Sequence, residues 1–339
     1  MKVGMYYKND DVRVEEMPVP KIGDGEMLIK MMACGICGSD VMEWYRIKKA
    51  PRVLGHEVTG MVVEIGKGVE GYKVGDRVFV THHVPCDECR YCIRGYHSVC
   101  DTLRSTNFDP GGFAEYIRVP KINVEKGVYL LPDETSFEEG TFIEPLGCVA
   151  RGQRVARIGK GDTVLVIGSG LSGLLHIQLA RVNGAERVIA TDINEHRLKA
   201  AKTFGADVVI NAREDVPKRV VDANSGRLAD RVIICTPALA AIEQGLCSVD
   251  RGGWILFFAP TEPDIKIPIH LFELWNKLAT MTSTYAAVRE DNLEAIELIR
   301  SGSIRVKEMI THILPLNEIQ KGFNLVTKRG EAIKVVITP

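Results

Sequence analysis

Residues 163–192 read TVLVIGSGLSGLLHIQLARVNGAERVIATD, and this stretch decides the fold of the middle of the chain. The apolar run 163–168 is typical of a buried parallel strand, and a helical pattern follows it. Between them lies the G-x-G-x-x-G motif of residues 168–173, and a second strand, 187–192, comes after the helix. This order of strand, glycine turn, helix and strand predicts a dinucleotide-binding unit.

The glycines and the acid that ends the second strand have separate physical roles. Gly168 allows a tight turn, Gly170 lets the backbone approach a pyrophosphate, and Gly173 lets the helix pack closely on the strand. The helix N-terminus offers free N–H groups to phosphate, and Asp192 is spaced to accept hydrogen bonds from the adenosine ribose. A carboxylate there repels a 2′-phosphate, which favours NAD over NADP. The cofactor-binding candidates are Gly168, Gly170, Leu171, Ser172, Gly173 and Asp192.

The alternation of strands and helices continues beyond this motif. Strand-like runs at 207–211, 231–236 and 254–258 are separated by helical stretches, which predicts a doubly wound parallel sheet. Residues up to about 145 instead show short strand patterns and many turn residues, typical of a compact β-rich unit. Near the end come an amphipathic helix, 291–302, and a strand, 333–339.

The overall composition excludes several classes of protein. The 339 residues, 45% apolar and 26% charged with a net charge of −1, suggest about two soluble domains. A neutral balance argues against a nucleic-acid binder, and no apolar run reaches the ~18 residues of a membrane helix. The first residues lack the apolar core of a signal peptide, so we expect a cytoplasmic protein.

Cysteines are concentrated in one segment. Nine are present, an odd number that argues against a disulfide framework, and four follow the pattern C-x2-C-x2-C-x7-C. Four thiolates in a short loop suit tetrahedral zinc in a closed, structural site, with an iron–sulfur cluster or a disulfide as alternatives. These four are Cys86, Cys89, Cys92 and Cys100. We expect Cys235 and Cys247 to be core thiols.

A second group of metal-ligand types is spread over the first half of the chain. Cys37 lies in ACGICGSD, His56 and Glu57 in LGHEVTG, and Glu144 in FIEPLGC. Cysteine, histidine and carboxylate are all zinc ligands, and three protein ligands leave an open position for water or substrate. Cys34, three residues before Cys37, also permits a CxxC redox pair, although a buried thiol is the simpler interpretation.

Together these motifs resemble those of the zinc-containing medium-chain alcohol dehydrogenases, in the branch of polyol (sorbitol-type) and threonine dehydrogenases. The resemblance covers the whole chain and is carried by CGICGSD, GHEVTG, EIGKGVEGYKVGDRV, the four-cysteine loop, GGFAEYIRVP, EPLGC and VIGSGLSG. It implies an α/β fold in which a Rossmann NAD-binding domain (149–283) is inserted into a GroES-like, β-rich catalytic domain (1–148 and 284–339). A dimer or tetramer is also implied.

The resemblance further implies roles for individual residues. Cys37, His56 and Glu144 match the catalytic zinc positions, and Glu57 matches an acid that either binds the zinc or exchanges with water. Ser39 matches the hydroxyl residue beside the reacting alcohol, which makes it the first candidate for a proton relay. Arg197, like Asp192, matches a contact to the adenosine ribose, and Cys86, Cys89, Cys92 and Cys100 match a structural zinc lobe.

The chain departs from this branch near the substrate. Met42 stands where many relatives have a proton-relaying His, and Glu43 where sorbitol enzymes tend to have a Tyr that contacts the polyol. Thr284 replaces an Arg beside Tyr285, which is a tentative substrate residue. Glu43 is therefore a hypothetical proton relay or a site for a cationic substrate, with an exposed surface Glu as the alternative.

Three functions are consistent with these residues. The main interpretation is a zinc-dependent transfer of hydride from a secondary alcohol (a polyol, sugar alcohol or cyclitol-like compound) to NAD+, giving the ketone. An amino-alcohol or L-threonine 3-dehydrogenase would use the same chemistry. The third, a catalytically silent regulator on this fold, is disfavoured by the intact zinc and dinucleotide motifs.

Overall fold

Two compact units make up the computed structural model, which describes residues 1–328 and 330–339. Unit 1 comprises residues 1–147 and 286–339, and unit 2 comprises residues 148–285. No helix in the described part of the chain is both long and apolar enough to span a bilayer.

Unit 2 contains a six-stranded sheet in which every pairing is parallel. The strands are β9 (Thr163–Ile167), β10 (Arg187–Asp192), β11 (Val208–Asn211), β12 (Ala229–Ile234), β13 (Val249–Phe257) and β14 (Thr280–Ser283). Their order, β11-β10-β9-β12-β13-β14, is the 3-2-1-4-5-6 order of a Rossmann fold. The helices are α7 (Leu171–Val182), α8 (Glu195–Thr203), α9 (Val216–Ala223), α10 (Leu239–Cys247) and α11 (Leu271–Lys277).

The sequence predicted five of these six strands. Buried Val, Ile and Leu residues fill β9, β10 and β12, as expected for strands covered on both faces. The sixth strand, β14, has the sequence TMTS and lies at the edge of the sheet, so only alternate residues are partly buried and no apolar run marks it.

Unit 1 is built mainly from a seven-stranded sheet and a three-stranded sheet. Its strands are β1 (Lys2–Lys8), β2 (Asp11–Glu16), β3 (Met27–Gly35), β4 (Arg52–Val53), β5 (Glu57–Ile65), β6 (Arg77–Val80), β7 (Tyr116–Val119), β8 (Val128–Leu130), β15 (Ile310–Pro315) and β16 (Lys334–Thr338). The larger sheet has the order β15-β16-β3-β5-β6-β8, with β7 pairing β3, and the smaller has the order β2-β1-β4. The strands that follow unit 2 in the chain thus pair directly with those that precede it.

Most helices of unit 1 are short. They are α1 (Glu43–Arg46), α2 (Arg90–Ile93), α3 (Asp101–Ser105), α4 (Lys121–Gly127), α5 (Phe137–Gly140), α12 (Arg289–Arg300) and α13 (Ile319–Thr327); α6 (Ile143–Val155) runs from unit 1 into unit 2. One apolar core lies in unit 1 and includes Met27, Phe113 and Phe323. The four-cysteine segment has its own small cluster with Leu103 and Val288.

Candidate active site

The pairing of β3 with β5 brings three predicted metal ligands together. Gly35, at the end of β3, pairs with Glu57, at the start of β5, so Cys37 and His56 both lie just beyond the same end of this strand pair. One ligand atom from each of Cys37, His56 and Glu57 lies within 4.8 Å of the other two. A thiolate, an imidazole and a carboxylate at this separation fit zinc, and this number of ligands leaves a position open.

Asp40 organises two of these ligands. Its carboxylate accepts a hydrogen bond from the Cys37 backbone N–H at 3.0 Å and lies 3.4 Å from His56 Nδ1. Burial acts to raise the pKa of Asp40, but His56 and Arg46 outweigh it and hold that pKa low. Since Nδ1 faces Asp40, the other ring nitrogen of His56 is the one available to a metal.

Ser39 is held by an arginine. The Arg46 guanidinium donates to the Ser39 carbonyl at 2.9 Å and to Ser39 Oγ at 3.0 Å. The nitrogen that donates to Ser39 Oγ is Nη2, and the same Nη2 lies 3.6 Å from Asp40 Oδ1. An arginine cannot accept a proton, so it fixes the serine hydroxyl without relaying a proton from it.

A buried ion pair lies behind the metal-ligand group. Glu57 and Lys334 are both fully buried, and Lys334 Nζ donates to Glu57 Oε2. Lys334 Nζ also lies 3.4 Å from the Thr141 carbonyl and 5.0 Å from the centre of the Phe142 ring. Glu57 Oε1 has no hydrogen-bond partner among the described residues, so this oxygen is available to bind a metal ion.

The remaining predicted residues of unit 1 are placed differently. Glu144 is buried in the first turn of α6, outside the group of mutually close ligand atoms formed by Cys37, His56 and Glu57. Glu43 is exposed at the start of α1, where its carboxylate accepts a hydrogen bond from the Asn9 backbone N–H at 2.9 Å. This contact supports the surface role for Glu43 rather than the relay.

Sulfur positions in the four-cysteine loop match a tetrahedral site. The Sγ separations are 4.0 Å for Cys86–Cys92, 3.5 Å for Cys89–Cys92 and 3.6 Å for Cys86–Cys100. Bonds of about 2.3 Å to zinc would place the sulfurs about 3.8 Å apart. Burial acts to raise the pKa of Cys100, but hydrogen bonds from the backbone and from neighbouring thiols lower it to about 6.

Other cysteines are thiols without a disulfide. Cys34 is fully buried, and burial holds its pKa well above the usual range, which fits the structural thiol rather than a redox pair. Cys235 is half-buried. Cys247 is exposed at the end of α10, so the expectation of a core thiol is wrong for it, because it lies on the exposed face of this helix and Ile242 and Gly245 lie on the buried face.

The glycine motif of unit 2 forms a tight turn between β9 and α7. Gly168 has a φ of +93°, which favours glycine, and a side chain on Gly173 would collide with the Gly168 carbonyl. Gly170 is the N-cap of α7, and Leu171 and Ser172 form its first turn. The free N–H groups of this turn can bind a pyrophosphate.

Asp192 and Arg197 flank this turn. Asp192 is nearly buried, and its two carboxylate oxygens accept hydrogen bonds from the backbone N–H groups of Ser169 and Asn194, each at 2.9 Å. Each oxygen retains a lone pair for a ribose hydroxyl. Arg197 is half-buried in α8. Its Nη1 lies 3.9 Å from the position that a Cβ atom on Gly170 would occupy, which places the guanidinium next to the glycine turn. Tyr285, at the end of unit 2, is 46% exposed.

Sequence reasoning missed three residues of the site. Asp40, Arg46 and Lys334 all contact a predicted functional residue. A signal existed for one of them: Lys334 is a charged residue inside the strand KVVIT, and such a residue needs a buried partner. Asp40 lies in a turn and Arg46 ends the short helix α1, and at both positions a solvated side chain is the ordinary expectation.

Two family models match the chain. The alcohol dehydrogenase GroES-like domain matches residues 23–133, and the zinc-binding dehydrogenase domain matches residues 173–301. These ranges cover much of unit 1 and of the Rossmann sheet and agree with the fold class expected from the sequence.

Curated proteins and solved structures agree with these models. The chain is 32% identical to sorbitol dehydrogenase of Gallus gallus, covering 98% of this chain and 94% of that protein. It is 36% identical to L-threonine 3-dehydrogenase of Pyrococcus furiosus, covering 95% and 93%. An alcohol dehydrogenase of Escherichia coli CFT073, solved with NADH, superposes with a TM-score of 0.88 at 27% identity, covering 100% and 99%. The chain therefore belongs to the zinc-containing medium-chain alcohol dehydrogenase family, and it is a zinc-dependent oxidoreductase that passes a hydride from an alcohol to a nicotinamide cofactor.

Proposed function

We propose that Cys37, His56 and Glu57 hold the catalytic zinc and that unit 1 carries the alcohol chemistry. The observation that supports this most strongly is the mutual proximity of their ligand atoms, together with the unpartnered Oε1 of Glu57. Zinc in such a site lowers the pKa of a bound hydroxyl and polarises the product carbonyl. Glu144, which is buried but lies outside this group, is the alternative carboxylate ligand.

The surrounding residues orient this group and handle the proton. Asp40 fixes the tautomer of His56 and the backbone of Cys37, and Arg46 fixes the Ser39 hydroxyl. Ser39 Oγ accepts a hydrogen bond from Arg46, so its own hydrogen and remaining lone pair are available to the substrate hydroxyl. Because Met42 and Arg46 cannot accept a proton, the half-buried Ser39 hands it to water.

Unit 2 holds the cofactor in this proposal. The turn from Gly168 to Gly173 binds the pyrophosphate, and Asp192 with Arg197 binds the adenosine ribose. A 2′-phosphate would place negative charge against a nearly buried carboxylate, and this supports NAD over NADP. The four cysteines, Cys86, Cys89, Cys92 and Cys100, hold a second, structural zinc, since four thiolates leave no open position.

For the substrate we propose a secondary alcohol of the polyol type, with an amino alcohol such as L-threonine as the second candidate. The relative named sorbitol dehydrogenase supports a polyol, and the relative named L-threonine 3-dehydrogenase supports an amino alcohol. The test is NAD reduction with a panel of polyols, amino alcohols and L-threonine, before and after treatment with a chelator. Turnover that is lost with chelator and restored by zinc is expected. Zinc and NAD binding without turnover of any alcohol would contradict the proposal.

We further propose a homodimer formed through the edge of the Rossmann sheet, in a cytoplasmic protein. No strand among the described residues pairs with the outer side of β14, and α11, which precedes β14 in the chain, exposes Leu271, Phe272 and Trp275 by 73%, 69% and 68%. An exposed strand edge next to apolar side chains is a surface that a second copy would cover. Analytical ultracentrifugation should show a dimer or a dimer of dimers, and Phe272→Glu with Trp275→Glu should give a monomer.

The proposed cytoplasmic location is supported by the proposed thiolate ligands, because cysteines stay reduced and able to bind zinc in a reducing compartment.

A further inference from the structure

An arginine that the proposed function does not use follows the strand that pairs with Asp192. Asp192 ends β10 and lies opposite Asn211, the last residue of β11. The Ala212 backbone N–H donates to the Asp192 carbonyl at 3.0 Å, so the chain that leaves β11 passes directly beside the proposed ribose-binding acid. Arg213 is the second residue after this strand.

Two hydrogen bonds hold Arg213 in this position. Its backbone N–H donates to Asn211 Oδ1 at 3.1 Å, and its Nη1 donates to the Ile193 carbonyl at 2.7 Å. Because Ile193 directly follows Asp192 in the chain, the guanidinium lies next to the backbone of the proposed ribose-binding acid. The bond to Ile193 leaves most of the five guanidinium N–H donors available to a ligand.

The positive charge of Arg213 is not neutralised by the acids around it. Its side chain is exposed, and it forms no ion pair with any residue in the described part of the chain. The Glu195 carboxylate accepts a hydrogen bond from Asn211 Nδ2 at 2.7 Å, and that of Glu214 accepts one from Arg219 Nη1 at 2.7 Å. Arg213 is therefore a fixed cation that can bind an anionic group of a ligand.

The other arginine of this region lies at a different part of the proposed cofactor site. Arg197 Nη1 is close to Gly170 in the glycine turn, which is the part that binds a pyrophosphate. Arg213 instead lies beside the residue that follows Asp192, and Asp192 is the part that binds the adenosine ribose. The anionic group within reach of Arg213 is thus one carried by this ribose, which in nicotinamide dinucleotides is the 2′-phosphate of NADP.

We propose that Arg213 is a cofactor-specificity residue that binds the 2′-phosphate of NADP, so that the enzyme uses NADP as a second, less preferred cofactor. Asp192 sets the preference for NAD by repelling this phosphate, and Arg213 limits that preference by offering the phosphate a cation. Arginine suits this role because its planar guanidinium donates paired hydrogen bonds to phosphate oxygens. The inference rests on the proposed function, because it takes the adenosine ribose to bind at Asp192.

Cofactor kinetics of the zinc-loaded enzyme test the proposal, with an alcohol that reduces NAD held at saturation. Arg213→Gln should raise the ratio of kcat/KM for NAD to that for NADP by about tenfold, mainly through the KM for NADP. Asp192→Asn combined with Arg213→Gln should likewise show a ratio about tenfold higher than Asp192→Asn alone. The control is Arg227→Gln, which removes an exposed arginine that precedes β12 at the opposite edge of the sheet, and it should preserve the ratio.

Calorimetry supplies a second measurement that does not depend on turnover. The probes are adenosine 2′,5′-bisphosphate and adenosine 5′-monophosphate, and the background is Asp192→Asn, in which no carboxylate repels the 2′-phosphate. Adding Arg213→Gln should weaken binding of the bisphosphate by about tenfold more than binding of the monophosphate.

Three results would overturn the inference and leave the proposed function standing. Equal losses for the two nucleotides would assign Arg213 to the adenine or the 5′-phosphate that they share. A ratio of kcat/KM unchanged by Arg213→Gln would exclude it as a specificity residue. Absence of NADP turnover in both the wild type and Asp192→Asn would show that the 2′-phosphate is not accepted at all. Failure of every alcohol to reduce either cofactor would instead overturn the proposed function.

Discussion

The ion pair between Glu57 and Lys334 is expected to be strongly coupled, and a double-mutant cycle can measure that coupling. Both residues are fully buried, so neither charge can be compensated by water when the other is removed. Breaking such a pair from one side usually costs about 3–5 kcal/mol. Lys334→Met keeps most of the volume of the side chain, and Glu57→Gln keeps its shape.

Each single substitution leaves the other charge buried without its ion-pair partner. Lys334→Met leaves the Glu57 carboxylate and Glu57→Gln leaves the Lys334 ammonium, and a buried charge without its partner is strongly destabilising. Each single variant should therefore lose about 3–5 kcal/mol in the free energy of unfolding of metal-free unit 1. The double variant, which strands no charge, should lose less than the larger single loss, giving a coupling of about 3 kcal/mol or more.

Hydrogen exchange of the metal-free protein is the suitable assay, because a chain with two units need not unfold in one step. Peptides from β3, β5 and β16 report on the sheet that carries both residues. Peptides from β9 and β10 in unit 2 provide the internal control. With zinc bound, Lys334→Met should cost less, since the ion gives Glu57 a second positive partner. Additive losses in the double variant, or equal losses with and without zinc, would refute the reasoning.

Three further outcomes are expected. Cys89→Ser should lower the zinc content, measured by mass spectrometry of the metal, from about two ions to about one per chain. It should also increase hydrogen exchange around α3. Retention of both ions would contradict the four-thiolate site. Asp192→Asn, which removes the charge but keeps an acceptor, should lower the kcat/KM preference for NAD over NADP by about tenfold or more, and an unchanged ratio would place NADP discrimination elsewhere. Burial lowers the pKa of His176 to about 3 from 6.5, so the unfolded chain binds a proton that the folded one does not. The free energy of unfolding of unit 2 should therefore be fully retained above about pH 6.5, and between about pH 6.5 and pH 3 it should fall by about 1.4 kcal/mol per pH unit. His176→Gln should remove that slope. The same slope in the variant would exclude this histidine as its source.

Unit 2 was largely predictable because its signals are local. A buried parallel strand is a continuous apolar run, and the glycine turn and Asp192 lie within one βαβ segment. The strand β14 was missed because an edge strand with the sequence TMTS carries neither signal. The strand β15 was missed for a similar reason, since its residues alternate in burial and it ends in a proline.

The candidate metal ligands were predicted as a set only through the family resemblance, and their spacing in the sequence does not show which of them meet. His56 and Glu57 are adjacent in the sequence, and the register of β3 on β5 is what brings Cys37 to them. The ion pair of Glu57 with Lys334 depends on β16 pairing β3, across a separation of 277 residues. Such long-range pairing has no local periodicity that a sequence can display, which is why the charge environment of the site emerged only from the fold.

The pairing of β16 with β3 also orders events during synthesis. Unit 2 is one continuous segment and can fold as soon as it leaves the ribosome, whereas the larger sheet of unit 1 needs strands on both sides of that segment. Once unit 2 has folded, residues 147 and 286 are joined by a compact body instead of a long flexible loop, which reduces the entropy lost when the two parts of unit 1 meet. Until β16 has been made, Glu57 lacks its ion-pair partner Lys334. The ion pair beside the candidate metal ligands is thus completed late, by a strand made after unit 2.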